Sequence, residues 1–254
     1  MGVIAISGSA SGIGAALRQR LERAGDTVLG IDLRDAEIVA DLGTRDGRAA
    51  AIAATRAAAP GRLDGLVTCA GIGPQVPDWP LIVSLDYFGS QALLDGLRDL
   101  LARARGAAVA ISSNSSTISP WDADIVAACL AGDEARARER ARSLSGQHAY
   151  ASAKRAIACF VRRSAPQAAW AGAGIRLNAV APGAVATPLL QQGLDDPVYG
   201  PAIRGFPIPL GGFGSPEQIA AVAAFLLGPE SSFFCGSVLI ADGGSDALLR
   251  PDAY

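Results

Sequence analysis

The chain has 254 residues, half of them hydrophobic, and 22 Lys or Arg against 24 Asp or Glu give a net charge of −2 at pH 7. That length suits one α/β domain with a sizeable core, and the near-neutral charge without a basic run argues against nucleic acid as a partner. No apolar run reaches membrane-spanning length, no N-terminal stretch is patterned like a secretion signal, and Cys69, Cys129, Cys159 and Cys235 are too scattered to ligate a metal. A cytoplasmic protein with reduced, buried thiols and no membrane partner is expected.

Apolar strands and helical stretches alternate almost to the end, which predicts a doubly wound parallel sheet with helices on both faces. Val3 to Ser7 reads as a buried strand and Ala15 to Ala24 as an amphipathic helix. Between them lies Gly8-Ser-Ala-Ser11-Gly12-Ile13-Gly14, where glycines permit a tight turn and close approach of backbone N–H groups to a phosphate, helped by the helix N-terminus. A second strand, Thr27 to Asp32, ends in an acid placed to accept hydrogen bonds from an adenosine ribose. Its charge repels a 2′-phosphate and favours NAD, although Arg34 stands two residues on. Glu37 to Ala40 follows as a short strand with Asp41-Leu42 as its exit, then a helix from Thr44 to Ala59 and a strand from Leu63 to Cys69. One long helix is expected from Leu81 to Arg103, a strand over Ala107 to Ile111, a helix from Gln147 to Trp170 and a strand from Ile175 to Val180. The last helix begins after Ser215-Pro216-Glu217, and Ser237 to Ile240 closes the sheet. No linker divides residues 1–254.

Tyr150 and Lys154 stand at i and i+4 and share one face of a helix, where an ammonium favours a phenolate and lowers the tyrosine pKa toward a useful range. Ser112 and Ser113 follow the strand ending at Ile111, and strand C-termini line the ligand crevice of a parallel sheet. A hydroxyl there holds a carbonyl oxygen beside the tyrosine.

With Asp32 and Cys69-Ala70-Gly71, these pieces resemble the short-chain dehydrogenase/reductase family across essentially the whole chain. The resemblance implies a Rossmann-type fold in which Gly8, Ser11, Gly12, Ile13 and Gly14 form the cofactor loop, with Ser7 where Thr is usual. Asp41 and Leu42 would meet the adenine, and Ala70 and Gly71 would end a signature whose first two Asn are here Thr68 and Cys69. Tyr150 would be the acid/base, Lys154 the residue that lowers its pKa and holds the nicotinamide ribose, and Ser113 the polarising hydroxyl. Val185 and Thr187 would hold the carboxamide. More narrowly, Ile31 to Ala36, Tyr87-Phe-Gly89, Gly73-Pro74 and Asp246 to Pro251 resemble the bacterial 3α-hydroxysteroid dehydrogenase/carbonyl reductase branch.

Two departures stand out. The family's catalytic Asn falls at Asp86, which leaves open a retained proton relay, an anion competing for the Lys154 charge, a protonated carboxyl, or a residue that only adjusts helix geometry. Ser113 and Tyr150 are also 37 positions apart, farther than is usual in the family. The extra segment, 119–146, reads as two helices, Asp122 to Ala131 and Glu134 to Leu144, separated by Gly132. Glu134 and Arg138 are spaced for a surface ion pair, and Arg136, Arg138, Arg140 and Arg142 read as a solvated face. In the steroid-dehydrogenase branch such an insert blocks the usual dimer face, here near Leu93 and Leu97. Association would then use Ile219 to Leu226 and Ser237 to Ile240, giving a homodimer or homotetramer.

Residues 187–214 form a loop with five prolines and several large apolar residues, the composition of a lid over a substrate. Trp121 faces either the cleft or the insert, and His148 is a helix-start residue rather than a catalyst. The expected function is NAD-dependent interconversion of a hydrophobic ketone and a secondary alcohol, with a hydroxysteroid as the leading substrate. The alternatives are an aryl- or cyclic-ketone alcohol dehydrogenase and a non-catalytic NAD sensor, against which intact Ser113, Tyr150 and Lys154 argue.

Overall fold

Seven parallel strands in the order β3-β2-β1-β4-β5-β6-β7 organise the computed structural model, which describes residues 2–59 and 61–253. β1 (Val3–Ser7) enters the glycine turn and α1 (Gly12–Arg23), and β2 (Thr27–Asp32) and β3 (Ile38–Val39) build outward from it. After α2 (Arg45–Ala58), capped by the Thr44 hydroxyl accepting from Gly47 N at 3.0 Å, β4 (Gly65–Thr68) returns to the other side of β1. The strand order reverses between β1 and β4, and a crevice opens outside the carboxyl ends of strands at such a switch point.

The expected single helix over 81–103 is instead a composite. α3 (Trp79–Val83) runs into a π-helical turn, Ser84–Gly89, then α4 (Ser90–Gly96), and the chain breaks at Leu97 before α5 (Arg98–Ala104). β5 (Ala107–Ile111) is buried along its whole length, and α6 (Ser115–Ile118) follows it. The insert holds the two expected helices, α7 (Ala123–Leu130) and α8 (Glu134–Arg142), capped by Asp122 and Asp133. α9 (Gly146–Ser164) stops before Trp170, which is buried in a turn between Phe160 and Arg98. β6 (Arg176–Pro182) leads to a segment that is not a bare loop: it carries α10 (Pro188–Asp195) and α11 (Gly200–Arg204). α12 (Pro216–Leu227), opened by a Ser215–Gln218 capping box, precedes β7 (Val238–Ala241), and a further short helix, α13 (Ser245–Leu249), follows.

Helices pack on both faces. Leu17 and Leu21 of α1 meet Ile219, Ala223 and Leu226 of α12 on one side; α2, α4 and α9 bury Ala51, Leu93, Leu94 and Ile157 on the other. The thiols depart from expectation, since Cys129 is buried, Cys69 and Cys159 are partly buried and Cys235 is exposed, and none is disulfide-bonded among the described residues.

The insert is tied to the body by charges in a way its local spacing did not suggest. Glu134 does not pair with Arg138. Both its carboxylate oxygens accept from Arg48 Nη2 at 2.8 Å, while Arg48 Nε donates to Thr44 O at 3.0 Å. Arg138 donates to the buried Ser84 hydroxyl at the start of the π turn, and Arg140 pairs with Asp122 at 2.7 Å. Of the arginine run, Arg138 anchors the insert to the body, Arg140 braces the insert internally, and Arg136 and Arg142 stay on a solvated face. α8 packs on α3 and the π turn, at the opposite end of the composite helix from Leu97.

Arg48→Ala should lower the unfolding free energy by about 2–3 kcal/mol in urea titrations, because the Glu134 carboxylate is left largely buried without its partner. Arg142→Ala, which loses only the exposed contact with Glu139, should change it by less than about 0.5 kcal/mol. Equal effects would show that the Arg48 pair is no stronger than a surface contact.

Candidate active site

The crevice is a cleft of about 740 Å³ that runs from the glycine turn past the ends of β4 and β5 to the segment carrying α10 and α11. Of the residues singled out by sequence, Gly8, Ser11, Gly12, Ile13, Asp32, Asp41, Leu42, Ala70, Gly71, Ser113, Tyr150, Lys154, Val185 and Thr187 line it. Gly14 and Asp86 lie behind the wall.

The glycine turn is shaped by close approach. A Cβ on Gly14 would fall 2.0 Å from Gly8 O, and one on Gly8, whose φ is +70°, would fall 2.8 Å from Ala70 N. Only hydrogen fits at either place. The Ser7 hydroxyl, at the end of β1, accepts from Cys69 N at 3.1 Å and Ala70 N at 3.2 Å, which fixes the segment after β4 against the turn. Sequence reading gave Ser7 no such part. The Ser11 side chain makes no capping bond and the first turn of α1 holds no acid, so the positive end of that helix faces the cleft without an internal anion. Asp32 is aimed by two backbone donors, Ala10 N at 3.0 Å and Leu33 N at 2.7 Å. Asp41 accepts from Gly43 N at 2.9 Å. A bare cradle at a helix N-terminus, with a carboxylate fixed at the end of β2, fits a dinucleotide.

At the other end, α9 presents Tyr150 and Lys154 on one face, with the Lys154 ammonium 5.6 Å from the Tyr150 ring centre. Lys154 Nζ donates to Ile111 O at 3.3 Å, and the Ser112 hydroxyl donates to Lys154 O at 2.7 Å, so the end of β5 holds this turn of α9. The Ser113 hydroxyl accepts from Ser115 N at 3.2 Å, which leaves its own proton to be donated into the cleft beside Tyr150.

Behind Lys154 sits Asp86, fully buried in the π turn. Its Oδ1 accepts from Ile72 N at 2.9 Å and its Oδ2 lies 3.3 Å from Lys154 Nζ. Gly71 makes room for the pair, since a Cβ there would stand 3.2 Å from Lys154 Nζ and 3.3 Å from Asp86 Oδ1. Burial pushes the Asp86 carboxyl above its ordinary range, against the pull of Lys154. Burial alone would lower Lys154, but Asp86 and Tyr150 hold its ammonium above the usual lysine value. Tyr150 is pushed up by burial, with Asp86 adding to that push; the downward pulls of Lys154 and Ser113 do not prevail. Lys154 thus pulls Tyr150 downward, but burial leaves the phenol above its ordinary value. Cys69, on the cleft wall, is pushed up to about 11 by burial and stays a thiol.

Several neighbours escaped sequence reading. Asn114 Nδ2 donates to Asp242 Oδ2 at 3.2 Å, and Asp242 in turn accepts from Asp246 N at 2.7 Å, which pins the chain after β7 beside the cleft. Gln75 reaches Gln192 of α10 at 3.4 Å across the opening. Leu189, Leu190, Tyr199 and Phe206 line the cleft as expected, but Phe213 does not. Trp121 takes neither of its two expected positions: it is part-exposed, with the Arg155 guanidinium 4.3 Å from its ring centre. His148 bonds back to Ser145 through Nδ1 at 2.9 Å, as befits a helix start.

Residues 140–246 match the family described as enoyl-(acyl carrier protein) reductase. The chain is 47% identical to the 3-alpha-hydroxysteroid dehydrogenase/carbonyl reductase of Comamonas testosteroni over the full length of both. It belongs to the short-chain dehydrogenase/reductase family. It is 33% identical to the cis-4-hydroxycyclohexanecarboxylate dehydrogenase of Sinomonas cyclohexanicum, over 97% of each chain. The crystal structure of the 3-alpha-hydroxysteroid dehydrogenase from Pseudomonas sp. B-0831 complexed with NADH superposes with a TM-score of 0.94 at 50% identity, covering 99% of this chain and 100% of that one. The protein is an oxidoreductase acting on hydroxyl or carbonyl groups with a nicotinamide cofactor. Among the described residues no helix is long and apolar enough to cross a membrane, and no cluster of ligating side chains is placed to hold a metal.

Proposed function

We propose that this enzyme interconverts a hydrophobic ring ketone and its secondary alcohol using NAD, with hydroxysteroids as its leading substrate class. One observation carries the reading: Ser113, Tyr150 and Lys154 converge at one end of a cleft whose other end is the glycine turn with Asp32, and whose outer wall is apolar. The names of the Comamonas and Pseudomonas relatives support the substrate class, and the NADH in the Pseudomonas complex supports the cofactor. The Sinomonas relative favours a second reading, an alcohol dehydrogenase for simpler cyclic substrates.

When bound, the nicotinamide gives hydride to a carbonyl carbon or takes it from an alcohol. The chain does the rest. Ser113 and Tyr150 hold the substrate oxygen, and Tyr150 gives up its proton in reduction and takes it back in oxidation. Lys154 stabilises the phenolate and holds the nicotinamide ribose, while Val185 and Thr187 hold the carboxamide. Gly8, Ser11, Gly12 and Ile13 would cradle the pyrophosphate, with Gly14 packed behind them against Gly8; Asp41 and Leu42 would meet the adenine, and Ala70 and Gly71 would form the intervening wall. Asp32 takes the ribose hydroxyls and repels a 2′-phosphate. Residues 187–214 act as a lid, and their apolar side chains exclude water from the reacting carbon.

Tyr150→Phe should reduce ketone turnover by about 100-fold or more, because only the proton donor is lost. NADH binding, followed by fluorescence, should persist. Retention of a sizeable share of wild-type kcat would remove Tyr150 from the mechanism, and the absence of turnover by the wild type on a panel of steroid, cyclic and aryl ketones would leave only a dinucleotide-binding role. Asp32→Ala should raise kcat/KM for NADPH by about tenfold or more, the equivalent of removing ~1.4 kcal/mol of repulsion. A wild type that prefers NADPH would overturn the choice of NAD.

We also infer a homodimer, or a tetramer built from it, through α12 and β7. Ile219, Ala220, Ala223 and Leu226 are taken up by the molecule's own core, but Phe225, Phe233 and Ile240 remain exposed for a partner. Light scattering at micromolar concentration should give at least twice the chain mass, and Ile240→Glu should weaken the assembly. A strictly monomeric wild type would exclude it.

A further inference from the structure

Asp86 is a fully buried carboxyl at the site to which the proposed reaction gives no task. It is fully inaccessible, and Lys154 beside it is nearly so, so solvent does little to screen one from the other. Its Oδ1 is satisfied by Ile72 N, whereas Oδ2 makes no hydrogen bond among the described residues and has only the ammonium 3.3 Å away as its counter-charge. A lone ammonium 5.6 Å from the Tyr150 ring acts on the phenol as a monopole. An ammonium with a carboxylate 3.3 Å behind it acts as a dipole, whose pull falls off faster with distance.

We propose that Asp86 is a charge-balancing positioning residue, which takes up the Lys154 field so that less of it reaches the Tyr150 hydroxyl and alcohol oxidation gains its full rate only at alkaline pH. The inference rests on the reading of Tyr150 as the acid/base. The cluster contains few other charges that could supply the same effect. From the segment after β4, Cys69 contributes a neutral thiol, and Asp32, at the end of β2, is held against the glycine turn by Ala10 N. From the end of β5, Ser113 contributes an uncharged hydroxyl, and His148 is turned back onto Ser145. Tyr87, the neighbour of Asp86 in the π turn, is a buried phenol held neutral by that burial and brings no charge. The net upward displacement of Tyr150, with Asp86 contributing to it, agrees with this geometry.

The sign follows from which form of Tyr150 each direction needs. Oxidation needs the phenolate and rises with pH until Tyr150 is deprotonated; reduction needs the phenol and falls through the same pH. Asp86→Asn preserves the shape and the acceptor for Ile72 N while removing the charge. It should move the pH limb of kcat/KM for alcohol oxidation downward by about one unit or more, a gain of about tenfold on the acid side of the limb. Coincident limbs would overturn the proposal. A second measurement needs no turnover: the near-ultraviolet phenolate titration of the cofactor-free wild type, with that of Tyr150→Phe subtracted. The Tyr150 midpoint should lie above the ordinary tyrosine value of about 10, and a midpoint below it would overturn the proposal even if Asp86→Asn does not fold. A high midpoint in a protein that reduces no ketone would refute the proposed function and leave the charge balance standing.

Discussion

The site depends on how the end of β1 meets the end of β4. These neighbours lie on either side of the reversal in strand order, and the Ser7 hydroxyl bridges them by taking two consecutive backbone N–H groups, while Gly8 lets the Ala70 backbone close to within the space of a missing side chain. One short side chain and one absent side chain thus set the width of the crevice. The β5 terminus follows in register from β4, so Ser113 and the carbonyl that receives Lys154 are located by the same ladder. A side chain at Gly8 would have to part the strands or tilt the turn, and both ends of the cleft would move together.

The sheet and most of the site were legible because they rest on residues whose chemistry admits few alternatives. The glycine turn needs glycine, Asp32 needs the end of a strand, and Tyr150 and Lys154 need one helical face. What escaped was decided at long range. The apolar spacing of 81–103 is that of an ordinary helix, and nothing in it announces the π turn that swings Asp86 toward Lys154; such turns are enriched at functional sites. Glu134 has Arg138 at the favourable spacing, yet takes Arg48, a partner 86 positions away in the chain. The prolines of 187–214 read as loop, but Pro188 and Pro201 stand in the first turns of helices, where a missing N–H costs nothing.

The insert joins two parts of the molecule that strand order keeps apart. Through Glu134 it holds Arg48, whose Nε grips the carbonyl of the α2 cap just beyond Asp41 and Leu42. Through Arg138 it holds the first residue of the π turn. A change in how the insert seats would therefore be felt at the adenosine end and at the Asp86–Lys154 pair together.

The distance along the chain between Ser113 and Tyr150 has a consequence for how readily the site is assembled. Joining two points on a flexible chain costs entropy that grows only logarithmically with the chain between them, about 0.6 kcal/mol for each doubling. Lengthening this connection to 37 positions therefore asks little of the folded state. Two capped helices, held to the body by the Arg48–Glu134 ion pair and the Arg138–Ser84 hydrogen bond, fill the added length. A segment added between the halves of a catalytic pair can in this way grow without loosening them, provided each added turn finds a partner on the body it spans.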